Sequence, residues 1–380
     1  MRIYILYPNY FVDRAVTHTC LSIAKALNNA GTYEIYLMGI ASNLANKPNY
    51  YHDAIPEVLQ QVCLKLFNTN QLRSWTEFRF LLGLKKTDIV YLWPATSLNL
   101  FKKVKLKGCK VITENINCHQ LTSKLILDTE FHRLNLEPSH TVTQNGIDIE
   151  TNKLKLTDYA FSPSPEVSKS LIAANVPENK IITSSYGLTK AEILPIVFPK
   201  PPKDKLVFLF VVRKLQIRKG IHLLLDYWSK ANISATLKIV GSIVPETEHL
   251  VKPYYNDPSI EFIPFQKNAI NLSNIFQQSD IFIFPSLEEG SPLVTYAALG
   301  AGLPSLVSPM GSGGIIRHKI DGYVLPPHNE DLWVTAIRDI NNNEQRRNNL
   351  AISAWEHAHN FLWDKVGAKR SDILFKKFNT

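Results

Sequence analysis

Short apolar runs alternate with helical stretches twice along this chain, and a proline-rich break separates the two series. In the first series Ile3 to Tyr7, Ile35 to Ile40, Ile89 to Trp93, Lys110 to Thr113, Tyr159 to Ser162 and Ile181 to Ser184 read as strands, and Thr17 to Leu27 has helical periodicity. The break runs from Pro195 to Asp204 and holds Pro195, Pro199, Pro201 and Pro202. The second series has Leu206 to Val212, Thr236 to Val240, Ile260 to Pro264, Ile281 to Phe284 and Ser305 to Val307. Strands alternating with helices imply a parallel sheet covered on both faces. The expected fold is therefore α/β, with two doubly wound halves facing a cleft, where ligands tend to bind. A length of 380 residues suits two domains. They are expected at 1–195 and 205–360, with a linker at 196–204 and a C-terminal helix at 361–380. Leu350 to Phe378 reads as helical throughout, anchored by Trp355, Phe361 and Trp363.

Composition narrows the partners. Cys20, Cys63, Cys109 and Cys118 show no paired spacing, which speaks against zinc and redox chemistry and fits buried thiols in a reducing cytosol. Met1 to Tyr10 lacks the apolar length of a signal peptide, and no run is apolar enough to span a bilayer. A soluble, cytoplasmic protein is expected. The net charge of +9 calls for an anionic partner. Lys102, Lys103, Lys105, Lys107 and Lys110 interleave with Phe101, Val104 and Leu106. Such a segment suits either anionic lipid at the inner face of a membrane or a solvated face between two strands. No nucleic-acid module is present in the sequence, so nucleic acid is not expected as a partner.

Two segments carry candidate chemistry. The apolar run Ile281 to Phe284 ends at Pro285-Ser286, and Glu288-Glu289-Gly290 follows. Leu293 to Leu299 can then form a helix, stopped by Gly300, Gly302 and Pro304. Glu289 thus falls at the carboxyl end of a strand and beside a helix N-terminus, where open α/β sheets bind ligands. In the second segment a strand enters the basic loop Arg213-Lys214-Leu215-Gln216-Ile217-Arg218-Lys219-Gly220. Cations clustered at a strand's end can neutralise a diphosphate. Taken alone, the loop reads better as an exposed basic turn; the Glu289 segment in register downstream favours the diphosphate reading.

Phe282 to Pro304 resembles the donor-sugar motif of the retaining glycosyltransferases of family 4, the glycosyl transferases group 1, which have the GT-B fold. That motif has a Glu, seven residues and a second Glu; here Glu289 is the first and Ala297 stands at the second. Val211 to Gly220 resembles the family's Gly-Arg-Leu followed by Lys-Gly. Aligned on Lys219-Gly220, the family Arg falls on Lys214 and its Gly on Arg213. The resemblance implies that Lys214 and Lys219, with Arg213, hold the donor diphosphate. It also implies that Glu289 bonds the sugar hydroxyls, with Gly290, Ser291, Pro292, Leu293 and Val294 lining the donor.

Thr113 to His119 resembles the family's His-bearing loop facing the donor. This implies His119 beneath the transferred sugar, with Glu114, Asn115 and Asn117 touching sugar or acceptor and Glu114 holding His119. A lone His is as often a satisfied structural residue. Gly311-Ser312-Gly313-Gly314 could aim backbone N–H groups at a phosphate, or be only a turn. Asp158 to Ser164, Ser184 to Leu188 and Asp321-Gly322-Tyr323 resemble framework elements of the family. Thr189 replaces an Asp there, and the loop Pro8 to Arg14 lacks the family's paired glycines. The family's C-terminal helix crosses back to the first domain, as 361–380 is expected to do.

The expected function is retaining transfer from a UDP- or GDP-linked sugar to an acceptor hydroxyl on a glycan, lipid or small molecule. Catalytic roles are expected for Glu289, His119 and Lys219. Negative charge building on the leaving diphosphate would meet fixed cations. The sequence contains no Asp-x-Asp loop, Asp148-Ile149-Glu150 being the nearest approach, so no metal and no further cofactor are expected. No opposed carboxylate pair suggests hydrolysis. Ala297 motivates an alternative, a GT-B pseudoenzyme acting as a binding or assembly partner; a second alternative is a sugar-nucleotide epimerase.

Overall fold

The computed structural model describes residues 1–12, 15–201 and 203–378. Asp13 and Arg14 of the N-terminal loop, Pro202 of the linker, and residues 379–380 lie outside them. The strands before the proline-rich break are β1 (Arg2–Leu6), β2 (Tyr10–Phe11), β3 (Glu34–Gly39), β4 (Ala41–Ser42), β5 (Tyr51–Asp53), β6 (Ile89–Leu92), β7 (Lys110–Glu114), β8 (Tyr159–Ser162) and β9 (Ile181–Thr183). After it come β10 (Leu206–Leu215), β11 (Ala235–Ile243), β12 (Ile260–Ile263), β13 (Ile281–Phe284), β14 (Ser305–Val307) and β15 (Gly322–Val324).

The first sheet has the order β5-β3-β1-β6-β7-β8-β9 and the second β12-β11-β10-β13-β14-β15. All pairings in both are parallel. Central strands therefore read as continuous apolar runs, because helices cover both faces. Ile3, Tyr4, Ile5 and Leu6 of β1 are all buried, as are Ile281 to Phe284 of β13. The covering helices supply apolar stripes at helical spacing. In Ile221–Ala231 these are Ile221, Leu224, Leu225 and Trp228; Asn232, left-handed at φ 44°, ends that helix.

The edge strands β5 and β15 and the small pair β2 and β4 escaped the sequence reading, whereas the edges β9 and β12 did not. β5 and β15 have three residues each, too few to show a period, and β2 pairs with β4 over only two. Gly322 opens β15 because a Cβ there would lie 2.0 Å from the Ser305 carbonyl oxygen. Strand β10 runs past the expected Val212 to Leu215, with a register shift against β11 between Val211 and Lys214. The irregularity leaves Arg213 and Lys214 exposed at the sheet's carboxyl end.

The C-terminal stretch is two helices rather than one. Glu344–Ala358 packs on the second domain against Leu293–Gly300, and Trp363–Phe378 packs on the first against Ala15–Asn29. Between them Leu362 is extended (φ −58°, ψ 134°), which turns the chain from one domain to the other. Leu188 N–H donates to Phe361 O at 2.9 Å, and Trp363 N–H to Leu188 O at 3.1 Å. Both interdomain crossings are thereby tied side by side.

The basic segment is also more ordered than expected. Leu98–Leu106 is a helix that turns Phe101 and Val104 into the core, so of the three interleaved apolar residues only Leu106 is exposed. Lys105 pairs with Asp158 at 2.8 Å.

Candidate functional site

In the second sheet strand order reverses between β10 and β13, and their carboxyl ends open side by side, the usual ligand position in such a sheet. Gly220 (φ 71°) lets the loop after β10 approach the loop after β13; a Cβ there would lie 2.1 Å from the Pro285 carbonyl oxygen. Leu287 N–H then donates to Arg218 O at 2.9 Å, and Ser286 Oγ donates to the same oxygen at 3.1 Å.

These contacts align two ion pairs. Lys219 Nζ bonds the Glu289 carboxylate, which also lies 3.1 Å from Ser286 Oγ. Arg218 Nη1 bonds Glu288 at 2.9 Å. Burial lowers the Lys219 pKa, and Glu289 opposes that by favouring the charged ammonium.

Lys219 and Glu289 line a cavity of about 730 Å³ with Arg213, Lys214, Pro292, Leu293, Val294 and Ala297. Arg213 and Lys214 form no ion pair among the described residues. Two expected donor contacts lie elsewhere. Gly290 bridges to Asn117 of the first domain, and its carbonyl accepts from Ser164 Oγ at 2.6 Å. A Cβ there would meet the Ile116 carbonyl oxygen at 2.1 Å, so this glycine lets the domains touch. Ser291 Oγ is buried 2.8 Å from Tyr296 OH and braces the helix that follows.

Ala297 leaves the second motif position apolar. Neither polar neighbour replaces the missing group: Thr295 Oγ1 donates to Gly311 O at 2.8 Å, and Tyr296 OH accepts from Tyr186 N–H at 2.9 Å. Ala297→Glu is expected to tighten nucleoside-diphosphate binding roughly tenfold, the worth of one charged hydrogen bond, with an unchanged melting temperature. Calorimetry and thermal unfolding together check this; unchanged affinity with a marked fall in melting temperature would show a carboxylate buried without a partner.

A second cavity, of about 520 Å³, lies on the first-domain side of the joint and shares Gln216 and Arg218 with the first. Glu288, Glu114, Asn115 and Asn117 line it. Glu288 was missed in the sequence reading. Its carboxylate accepts from Asn117 Nδ2, from Ser123 Oγ at 3.1 Å and from Arg218, joining both domains. The available signal was the doubled sequence itself: Arg218-Lys219 faces Glu288-Glu289, with Glu288 lining the second cavity, Lys219 and Glu289 the first, and Arg218 both. Asn115 Nδ2 donates to Phe161 O at 2.8 Å and fixes the loop.

His119 corrects the expectation of a catalytic residue. Its side chain is fully buried and lines neither cavity. Nδ1 accepts from Leu121 N–H at 3.1 Å, capping the helix Gln120–Arg133, while Nε2 lies 3.3 Å from Thr151 Oγ1. Burial lowers its pKa against the opposing pull of Glu150. Glu114 does not hold it; that carboxylate bonds Tyr91 OH and the buried Arg370, at 2.9 and 3.3 Å. The glycine-rich turn is not an anion cradle either. Gly311 and Gly314 N–H donate to Ser308 and Ser312 Oγ, and Ser312 and Gly313 N–H to backbone carbonyls.

Two doubly wound domains meeting at a cleft, with a final helix returning to the first, define a GT-B protein. Solved structures share the fold across the whole chain. Sucrose-phosphate synthase from Thermosynechococcus elongatus superposes with a TM-score of 0.72 at 15% identity, over 100% of this chain and 99% of that one. HepE of Anabaena in complex with UDP and glucose gives 0.67 at 13%, over 99% and 100%. Residues 195–357 match the family model of the glycosyl transferases group 1. The amylovoran biosynthesis glycosyltransferase AmsD of Erwinia amylovora is 23% identical over 305 residues, covering 74% of this chain and 84% of that protein. The match to the glycosyl transferases group 1 thus lies in the second half of the chain, and the fold it shares with these structures spans all of it.

Proposed function

We propose that this protein moves a sugar from a nucleoside-diphosphate sugar, UDP- or GDP-linked, to an acceptor hydroxyl, with retention of configuration and without a metal. The paired contacts Lys219–Glu289 and Arg218–Glu288, at the joint between two cavities, carry the reading. The larger cavity takes the donor. Arg213, Lys214 and Lys219 face the diphosphate, Glu289 the sugar hydroxyls, and Leu293 and Val294 the nucleoside. As the glycosidic bond breaks, negative charge grows on the diphosphate and positive charge on the sugar; the fixed cations and Glu289 stabilise both. The acceptor enters from the second cavity, past Asn117 and Glu288, and attacks on the leaving-group face without a protein nucleophile. Residues 1–195 serve as the acceptor unit and 205–360 as the donor unit, joined by the linker 196–204 and the returning helix 361–380. The HepE complex with UDP and glucose lends support to the donor class. An intact Lys219–Glu289 pair weighs against a decayed pseudoenzyme, and the second cavity against an epimerase without an acceptor route.

The test is turnover of UDP- and GDP-sugars with and without candidate acceptors, the product anomer being read by NMR. Acceptor-dependent release of nucleoside diphosphate, with the donor's anomeric configuration kept, is expected. An epimerised donor would replace the reading with the epimerase, and donor binding without any turnover with the pseudoenzyme.

A further inference from the structure

The helix Glu57–Leu66 buries one side chain, Gln60, although it is rich in aliphatic residues. Val58, Leu59, Val62 and Leu66 are 88%, 50%, 54% and 72% exposed. Its hairpin partner, Thr69–Gly83, turns Leu72, Thr76 and Phe80 inward and presents Trp75, Phe78 and Leu82 to solvent. Between the two helices runs an apolar groove of about 800 Å³ whose walls include Ile55, Cys63, Phe67, Trp75 and Phe78. Of the 20 exposed large apolar side chains among the described residues, 9 lie between Val58 and Leu82. Scattered apolar residues are normal on a surface; a contiguous patch of this size marks an interaction site.

A basic rim adjoins the patch. Lys107 Nζ donates to Leu81 O at 2.8 Å, and Gly108 packs on the Lys86 side chain, so the ends of Thr69–Gly83 and Leu98–Leu106 lie together. Exposed Leu82 and Leu106 stand there among exposed Lys85, Lys86, Lys103 and Lys107. Between Pro56 and Lys110 the chain has 10 basic and 3 acidic residues. Two of the acids are engaged, Asp88 with Arg2 and Glu77 with Ser97.

We infer that the hairpin Glu57–Gly83 and its lysine rim form a docking surface for an anionic lipid bilayer. The apolar centre is placed to enter the acyl boundary, and the lysines to meet acidic headgroups. A second copy of the chain is a poor occupant, because pairing this face with itself would bring two strongly positive rims together. The inference stands independently of the sugar-transfer chemistry.

The test is sedimentation of the full-length protein with vesicles of phosphatidylglycerol and phosphatidylcholine, and with phosphatidylcholine alone. Binding is expected to the acidic vesicles only, and to weaken as salt shortens the reach of the field. Leu66→Ser with Phe78→Ser should lower partitioning on the order of tenfold. Lys85→Gln with Lys86→Gln and Lys103→Gln should lower it by about a hundredfold and flatten the salt dependence. Circular dichroism confirms that each variant is folded, and nucleoside-diphosphate affinity should stay unchanged. Three results would overturn the inference: no binding to acidic vesicles, equal binding to neutral ones, or binding indifferent to the apolar pair. Concentration-dependent dimers abolished by Phe78→Ser, without vesicle binding, would assign the face to self-association instead.

Discussion

Lys219→Ala should weaken nucleoside-diphosphate binding by roughly ten- to a hundredfold, the cost of one lost charge-assisted hydrogen bond of about 1.5–3 kcal/mol. The upper end is expected, since the substitution also leaves the Glu289 carboxylate without its ammonium partner in the same pocket. That residual negative charge would then repel the diphosphate. Affinity for the nucleoside alone should barely change, because Leu293 and Val294 still line the cavity. Turnover should fall further than binding, by about 10²–10³, since charge on the leaving diphosphate is greatest in the transition state. Calorimetry with nucleoside and nucleoside diphosphate, beside steady-state rates, separates these effects. Equal losses for both ligands would remove Lys219 from the phosphate site and leave Arg213 and Lys214 as its cations.

The second large effect concerns stability. Arg370, on the returning helix Trp363–Phe378, is fully buried inside the first domain. It bonds the Glu114 carboxylate, Tyr91 OH at 2.9 Å and Ser184 Oγ at 3.1 Å. Burial acts to lower the Arg370 pKa, but Glu114 and Tyr91 outweigh it and the net shift is upward. Glu114→Ala should therefore cost about 3–5 kcal/mol, because it strands a buried guanidinium. For a domain of this size the melting temperature should drop by roughly 10 °C. Glu114→Met combined with Arg370→Met should recover much of that loss, since apolar groups of similar volume remove the unpaired charge. Thermal unfolding of the two singles and the double checks it. A single variant that melts like the wild type would mean the helix is held by its apolar contacts, such as Gly367 on Ala26, and not by the ion pair.

Much of this molecule is legible in its residues alone. The alternation of apolar runs and helical stretches is a local property, so it revealed both parallel sheets and the break between them. Glu289 and Lys219, which the structure brings into one ion pair, stood out in the sequence for the same reason, each lying in a contiguous segment whose strand, loop and helix signals agree. Ala297 stood out as an apolar residue at a position where the resemblance places a carboxylate, and it lines the same cavity as Glu289 and Lys219.

Only the tertiary structure decided the rest, because each remaining feature depends on residues far apart in the chain. His119 is a buried helix cap rather than a site residue, since Thr151 and the helix Gln120–Arg133 close over it. Gly290 serves domain contact, which depends on Ile116 and Asn117 lying opposite. Glu288 gains its meaning from Arg218, Asn117 and Ser123, three partners on two domains. The apolar residues of Glu57–Leu66 resemble a core stripe in sequence; folding leaves most of them outside, while Leu72, Thr76 and Phe80 of the neighbouring helix face inward. A hydrophobic pattern determines which residues can be buried, and the packing of distant elements determines which of them are.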